Sequence, residues 1–305
     1  MAIATNYVLH GILTPSAAFI SNLSNVRMSP AVQTMLGYGA GYQAPLFVGN
    51  MGQKPAISFD SLDVKTVLDL TGTTCADLSA GNTDLFFKKT SGYSSRVADA
   101  TAVHVRNRMA AAGLYVTSLR AGNRSEASVS GMLIANYDGV NEPIVPTTAS
   151  VALSGTPAAT YHYVSGPIAI NGTTYAGVQS TNVDFGLSIG QLSGDGELYD
   201  TFQFVRTVAP SITVSLLGVP LTNALSLNGT AVTSLSVYLR KISTTGRVAN
   251  GTAGHVKFTA TAGIVTVEDV SGGGNDDAVT TIKITLVAPD TSTAPLLLNT
   301  AIAIT

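Results

Sequence analysis

The sequence predicts an all-β protein, a β-sandwich or partial barrel with long hairpins and one short flanking helix. Three observations carry this. Apolar residues alternate with polar or small ones in many short runs, such as Ala127, Val129, Gly131, Leu133, Ala135 and Tyr137; a period of two puts every second side chain on one face of a sheet. Asn-Gly pairs at Asn171, Asn228 and Asn250 offer the positive φ that tight hairpin turns need. Only one stretch, from Asp60 to Gly72, carries a helical stripe framed by start and stop signals.

The chain of 305 residues is long enough for one large all-β unit or two smaller domains. The expected division is an N-terminal arm and lead-in over 1–50, a β-sandwich core over 51–215, and further strands over 216–305 forming an outward-facing module. Charged residues make up only 11% of the chain and the net charge is −2, so little repulsion keeps copies apart and self-association is expected. The plainer alternative is a robust or extracellular β-protein. A single cysteine, Cys75, excludes an intrachain disulfide and a cysteine metal site. The opening MAIATNYVLHGILTPSAAFI has no basic region, and His10, Thr14 and Pro15 interrupt it; a soluble, cytoplasmically made protein with no membrane partner is expected.

Along the chain, helical and strand periods compete in the first fifty residues, and Gly37, Gly39 and Gly41 loosen the backbone. GYGAGY lacks the strand, helix and acidic residue of a nucleotide loop, so it reads as a plain loop. Ala56, Ile57 and Phe59 form a strand. Asp60 or Ser61 then caps the helix, with Asp63 in its first turn, an apolar stripe of Leu62, Val64, Val67, Leu68 and Leu70, and Gly72 past its end. Strands follow near Leu85–Phe87, Val103–Val105 and Leu114–Leu119, although Asp99–Ala112 also fits a helical spacing. From Gly166 to Gly190 the chain reads as one long hairpin turning at Asn171-Gly172, its far arm carrying Val183, Phe185, Leu187 and Ile189 on one face. Further strands lie near Phe202–Val205, Ile212–Leu216, Leu235–Leu239, Val256–Ala262 and Ile282–Leu286. No fixed period recurs, so internal repeats are not expected.

Chemistry-bearing constellations are sparse. His10, His104, His162 and His255 lie far apart, with no metal-ligand spacing, and no nucleophile elbow occurs. GGGNDD (272–277) and the tip around Asp195 and Glu197 lack the spacing of a calcium loop. The expectation is a non-enzymatic protein without metal or cofactor. Charge is more informative. Asp60, Asp63, Asp69, Asp77 and Asp84 form an acidic block, and Lys88, Lys89, Arg96, Arg106, Arg108, Arg120 and Arg124 a basic one. The blocks either pair within one subunit or lie at opposite ends and steer head-to-tail stacking of rings, with Asp60, Asp63, Asp69, Lys88, Lys89, Arg96, Arg106 and Arg108 as the stacking candidates.

The runs GQKPAISFDSLDVKTVLDLTG, YDGVNEP, NGTTYAGVQSTNVDFG and GELYDTF, followed by a Thr-rich C-terminal region, resemble structural proteins of tailed bacteriophage virions, most of all tail tube proteins, over Gly52 to Thr213. The resemblance implies a β-sandwich flanked by a helix, with long hairpins from six subunits closing into a barrel around a channel for genomic DNA. It implies a virion location, stacked hexameric rings, other tail proteins as partners and no catalytic residues. Closure also answers a physical need, since a ring of identical subunits removes the open sheet edges of each. On this reading Asp184, Gly186, Ser188 and Gly190 face the lumen; the alternative is that they face solvent. A jelly-roll capsid protein and a receptor-binding or decoration protein are the other structural readings.

Overall fold

A computed structural model of the chain describes residues 6–29, 31–91, 95–147, 150–157, 162–194, 196–218, 226–272 and 278–305. The protein is all-β, with one helix described in full. The chain begins with β1 (Asn6–Leu13), β2 (Phe19–Ile20) and β3 (Leu23–Ser29), then forms a separate ribbon from β4 (Val32–Tyr38) and β5 (Pro45–Gln53). Next come β6 (Ala56–Ser61), α1 (Val64–Thr71), β7 (Cys75–Asp77), β8 (Thr83–Ser91), β9 (Ser95–Arg96), β10 (Val105–Met109), β11 (Ala111–Gly122), β12 (Ser128–Asn136) and β13 (Val145–Pro146). The second half runs through β14 (His162–Ile170), β15 (Thr173–Tyr175), β16 (Val178–Asp184), the ribbon strands β17 (Leu187–Leu192) and β18 (Phe202–Val208), and β19 (Ser211–Leu217). It ends with β20 (Ala231–Val232), β21 (Leu235–Ser243), β22 (Gly246–Arg247), β23 (His255–Ala260), β24 (Gly263–Ser271), β25 (Val279–Leu286) and β26 (Leu297–Ile302).

The sheet orders show that the two halves are built alike. One face sheet runs β13-β10-β8-β1-β2 with β9 on β8, and the other runs β26-β23-β21-β14-β15 with β22 on β21. A ten-stranded sheet spans both halves in the order β20-β24-β25-β19-β16-β11-β12-β6-β3, with β7 also on β11. Cut between β16 and β11, it yields two equal pieces, and each strand of the first half has its counterpart in the second. Irregularities repeat as well. The β11–β12 ladder shifts register between Val116 and Ser118, and the β24–β25 ladder between Val267 and Asp269.

This corrects the expectation of no repeats. The echo in sequence is short: RVADATAVHV (Arg96–Val105) and RVANGTAGHV (Arg247–Val256) differ only at Asp99/Asn250, Ala100/Gly251 and Val103/Gly254. It survives there because each copy performs the same buried task. His104 Nδ1 accepts the Lys89 amide at 3.0 Å and its Nε2 lies 3.1 Å from the Ala98 carbonyl; His255 does the same with the Lys241 amide and the Ala249 carbonyl, at the same distances. Both rings are wholly buried. A backbone amide facing the ring nitrogen makes Nδ1 the acceptor and leaves Nε2–H as donor.

The segment from Gly166 to Gly190 is not one long hairpin. Asn171 (φ 49°) and Gly172 (φ 83°) do make the left-handed turn, but only Ile168, Ala169 and Ile170 pair back, with Tyr175, Thr174 and Thr173. The chain then crosses to the opposite sheet, where β16 pairs with β11 and β19. Alternation in β16 looks the same whichever sheet it joins, which is why the pattern misled. Gly177 allows the crossing: a Cβ there would lie 2.3 Å from the Leu217 carbonyl oxygen. The Asn228-Gly229 pair is not a hairpin turn either, because Ser226 and Leu227 are helical and Gly229 (φ 77°) closes that turn.

Helix α1 places Val64, Val67, Leu68 and Thr71 in the core, and the amide of Gly72 (φ 59°) donates to the Leu68 carbonyl at 2.8 Å. Its N-cap is Asp63 rather than Asp60 or Ser61, and the Asp63 carboxylate turns away from the helix to accept the buried Ser21 hydroxyl at 3.2 Å. The ambiguous stretch Asp99–Ala112 is not helical: residues 99–102 form turns and bends, and Val105–Met109 is strand. Residues 1–50 divide in two: Ile12 and Ile20 are fully buried and β3 pairs with β6, whereas β4–β5 stands apart. The strands after residue 216 are hydrogen-bonded into the sheets of β14 and β19. One hydrophobic core runs through both halves, from Ile12, Leu85 and Val116 to Ile168, Val214, Phe258 and Ile284. Burial of this many apolar side chains between facing sheets is what holds the layers together. Among the described residues no helix is long and apolar enough to cross a membrane.

Candidate functional site

The two ribbons are the features the core does not explain. In β4–β5, Met35, Leu36, Tyr38, Leu46, Phe47 and Val48 are all exposed; in β17–β18, so are Leu192, Phe202, Phe204 and Val208. From Val32 to Gln53 there is no Asp, Glu, Lys or Arg. The register of β4–β5 runs from Val32↔Gln53 to Tyr38↔Pro45 and that of β17–β18 from Leu187↔Val208 to Leu192↔Phe202. Both ribbons form because β-branched and aromatic residues favour extended backbone. Yet a two-stranded ribbon is marginal in water, and apolar surface of this kind marks an interaction site.

The ribbons meet at their roots. The Gln53 amide donates to the Leu198 carbonyl at 2.8 Å, Gln53 and Tyr199 form a parallel bridge, and Lys54 Nζ lies 3.2 Å from Asp200 Oδ2. They occupy equivalent places in the two halves: β4–β5 connects the paired strands β3 and β6, and β17–β18 connects the paired strands β16 and β19. Each chain therefore presents four neighbouring strands, and both ribbons expose unpaired backbone along their outer edges.

The lumen candidates do not share one face. Asp184 ends β16, and its Oδ1 accepts the Gly186 amide at 2.9 Å. Gly186 has φ 59°, and a Cβ there would lie 2.0 Å from the Ala209 carbonyl oxygen, so the chain turns sharply here. Ser188 and Gly190 belong to β17 beyond that turn, with Gly190 buried against the ring of Phe204. Asp184 and Gly186 thus form the ribbon's root, and Ser188 and Gly190 its body.

The acidic and basic blocks meet inside the chain at Asp84. Asp84 sits directly across from Arg108 on neighbouring strands, its carboxylate bonded to Arg108 Nε and a second Arg108 nitrogen at 2.8 and 2.9 Å, with Arg106 at 3.5 Å. The bond to Asp84 pushes the Arg108 guanidinium up. Lys88 pairs with Asp99, whose carboxyl it holds below the usual range, and Asp69 pairs with Lys65 and the Thr300 hydroxyl. Asp60 accepts the Ser130 hydroxyl at 2.6 Å and the Asn25 amide at 2.7 Å. Lys89 contributes its amide to His104, and Arg96 is exposed on β9. Opposite charges in cross-strand register are stabilising neighbours.

Desolvation pushes the Cys75 thiol up, the reverse of activation. Burial pushes the neighbouring Tyr115 hydroxyl up to about 12. Among the described residues no three His, Cys, Asp or Glu side chains cluster to hold a metal ion. The GGGNDD tip, beyond Gly272, and Asp195 lie outside the described residues.

Sequence reasoning missed the β4–β5 ribbon, whose signal was two apolar, uncharged runs flanking a glycine-rich tip, and the duplication, whose signal was the repeated RVA…HV string. No protein-family model matches the chain, and no curated protein is significantly similar to it in sequence.

Proposed function

We propose that the protein is a non-enzymatic structural subunit that assembles with its own copies into stacked rings, forming the tail tube of a bacteriophage virion through which genomic DNA passes. The observation that carries this reading is the pair of apolar ribbons, adjacent at their roots and open along their edges. Ribbons from successive subunits, laid side by side, close into one continuous barrel that pairs every edge and covers the apolar outer face. The lack of basic residues from Val32 to Gln53 suits a wall past which phosphate must slide, because Lys and Arg contacts are what hold the DNA backbone. Ser188 and Gly190, being small, fit the same wall. The resemblance of the sequence to tail tube proteins points the same way, with the remaining tail proteins as partners.

The test is an electron micrograph of the purified protein beside a Phe47→Lys/Val48→Asp double variant. Hollow tubes from the wild type and none from a variant that keeps its circular dichroism spectrum support the proposal. Closed shells would favour the capsid reading. Small oligomers that attach to cells or to preformed particles would favour the receptor-binding or decoration reading.

A further inference from the structure

Within one chain the two halves are joined edge to edge. Ser118, Leu119, Arg120, Ala121 and Gly122 of β11 pair antiparallel with Asp184, Val183, Asn182, Thr181 and Ser180 of β16. The joint buries Leu119 and Val183 completely. It is reinforced where the Ala127 amide donates to the Tyr163 carbonyl at 2.6 Å and the Ser165 hydroxyl to the Ala121 carbonyl at 2.9 Å.

Each half possesses both sides of this joint, and each half uses only one. The counterpart of the β11 side is the C-terminal part of β24, where Val270 faces Thr280 as Leu119 faces Val129. Partner strand β20 covers Gly263 and Ile264, and Thr230, Gly229 and Asn228 bond Val265 and Val267, which leaves the edge from Asp269 to Ser271 without a pairing strand among the described residues. The counterpart of the β16 side is β3, which ends the long sheet: Met28 faces Ile57 as Val183 faces Ile212. Likewise Tyr7 faces Lys89 as Tyr163 faces Lys241.

Side chains buried in the internal joint are exposed at the unused one. Leu119 is 0% exposed and Val270 39%, Val183 0% and Met28 42%, Tyr163 1% and Tyr7 39%. Ala127 is buried, whereas Ala278 is exposed. From this we infer that β24 of one copy pairs with β3 of the next, head to tail, in the register Asp269↔Ser29, Val270↔Met28 and Ser271↔Arg27. Arg27 then lies diagonal to Asp269 on the same face, an attractive pair. The occupant of the open edge is thus a second copy of this chain, bound by the joint the chain already makes within itself. A head-to-tail contact of this type closes into a ring or continues as a filament. Resting on the ring reading above, the sixfold repetition of a tail tube becomes a count of sandwiches, and three chains complete the ring.

The experiment introduces Met28→Cys and Val270→Cys together in a Cys75→Ser background and oxidises the assembled protein. In one chain the two positions lie on strands seven places apart in the sheet, about 34 Å at ~4.8 Å per strand, too far for a disulfide. Expected are covalent two- and three-chain species, ending at three, and none from either single-cysteine variant. A ladder running past three chains overturns the closed ring of three, and assembled protein that does not cross-link overturns the joint. Should the variant fail to assemble, cryo-electron microscopy of the wild-type particle reads the same β24–β3 contact directly, and its absence there overturns the inference. Tubes lacking this contact would leave the tail-tube reading standing; three-chain rings that never stack would leave the joint standing and remove the tube.

Discussion

Replacing His104 or His255 by alanine separates the duplicated design from a chance likeness. Each ring is wholly buried, accepts one backbone amide and sits within hydrogen-bond distance of one carbonyl, both at nearly equal lengths in the two halves. Removing the ring takes from the Lys89 or Lys241 amide its ring acceptor, while the Ala98 and Ala249 carbonyls still accept the Thr101 and Thr252 amides. An orphaned buried polar group costs roughly 1–3 kcal/mol, and the void left by the ring adds a further cavity term. Each substitution should therefore destabilise by about 3–5 kcal/mol. At about 2–3 °C per kcal/mol for a chain of this size, the midpoint should fall by roughly 6–15 °C. Thermal and urea unfolding followed by circular dichroism measure this. The two variants should cost nearly the same, and the double variant close to their sum, since the sites share no partners. A large loss at one histidine with a neutral result at the other would refute the claim that both brace the same turn.

Three further outcomes are expected. Gly186→Ala should destabilise by more than about 2 kcal/mol, because its φ of 59° disfavours a side chain and a Cβ would meet the Ala209 carbonyl at 2.0 Å; urea titration checks it, and a neutral result would contradict the sharp turn at the ribbon root. Asp84→Ala should cost about 1.5–3 kcal/mol by removing the charge-assisted bonds to Arg108 and Arg106, with less loss in Asp84→Asn. Burial lowers His10 below its ordinary value of 6.5, so the unfolded chain takes up a proton first as pH falls. Stability should be full above pH 6.5 and decline below it toward the folded value, and His10→Phe should flatten that slope in a pH series of thermal midpoints.

Fold class was legible because a period of two survives almost any substitution among apolar residues, so Val183 or Leu133 announces a strand without saying which sheet it joins. Pairing was not legible for the same reason. The duplication stayed hidden because sandwich cores accept Ile, Val, Leu and Phe interchangeably: Ile57 matches Ile212, but Phe59 stands where the second half has Val214. Only the histidine turn needs particular groups at particular atoms, and there the two halves kept nearly the same string. The charge blocks were visible as composition, yet their pairing across β8 and β10 depends on the register that sets Asp84 opposite Arg108. The apolar ribbon lacked the polar alternation by which a surface strand is recognised, since Leu46, Phe47 and Val48 follow one another with no polar residue between them.

Cryo-electron microscopy of the purified wild-type protein tests the assembly most directly. The account predicts a hollow tube whose inner wall is a continuous barrel made of β4–β5 and β17–β18 ribbons from successive copies. Monodisperse single chains with both ribbons exposed to solvent would contradict it.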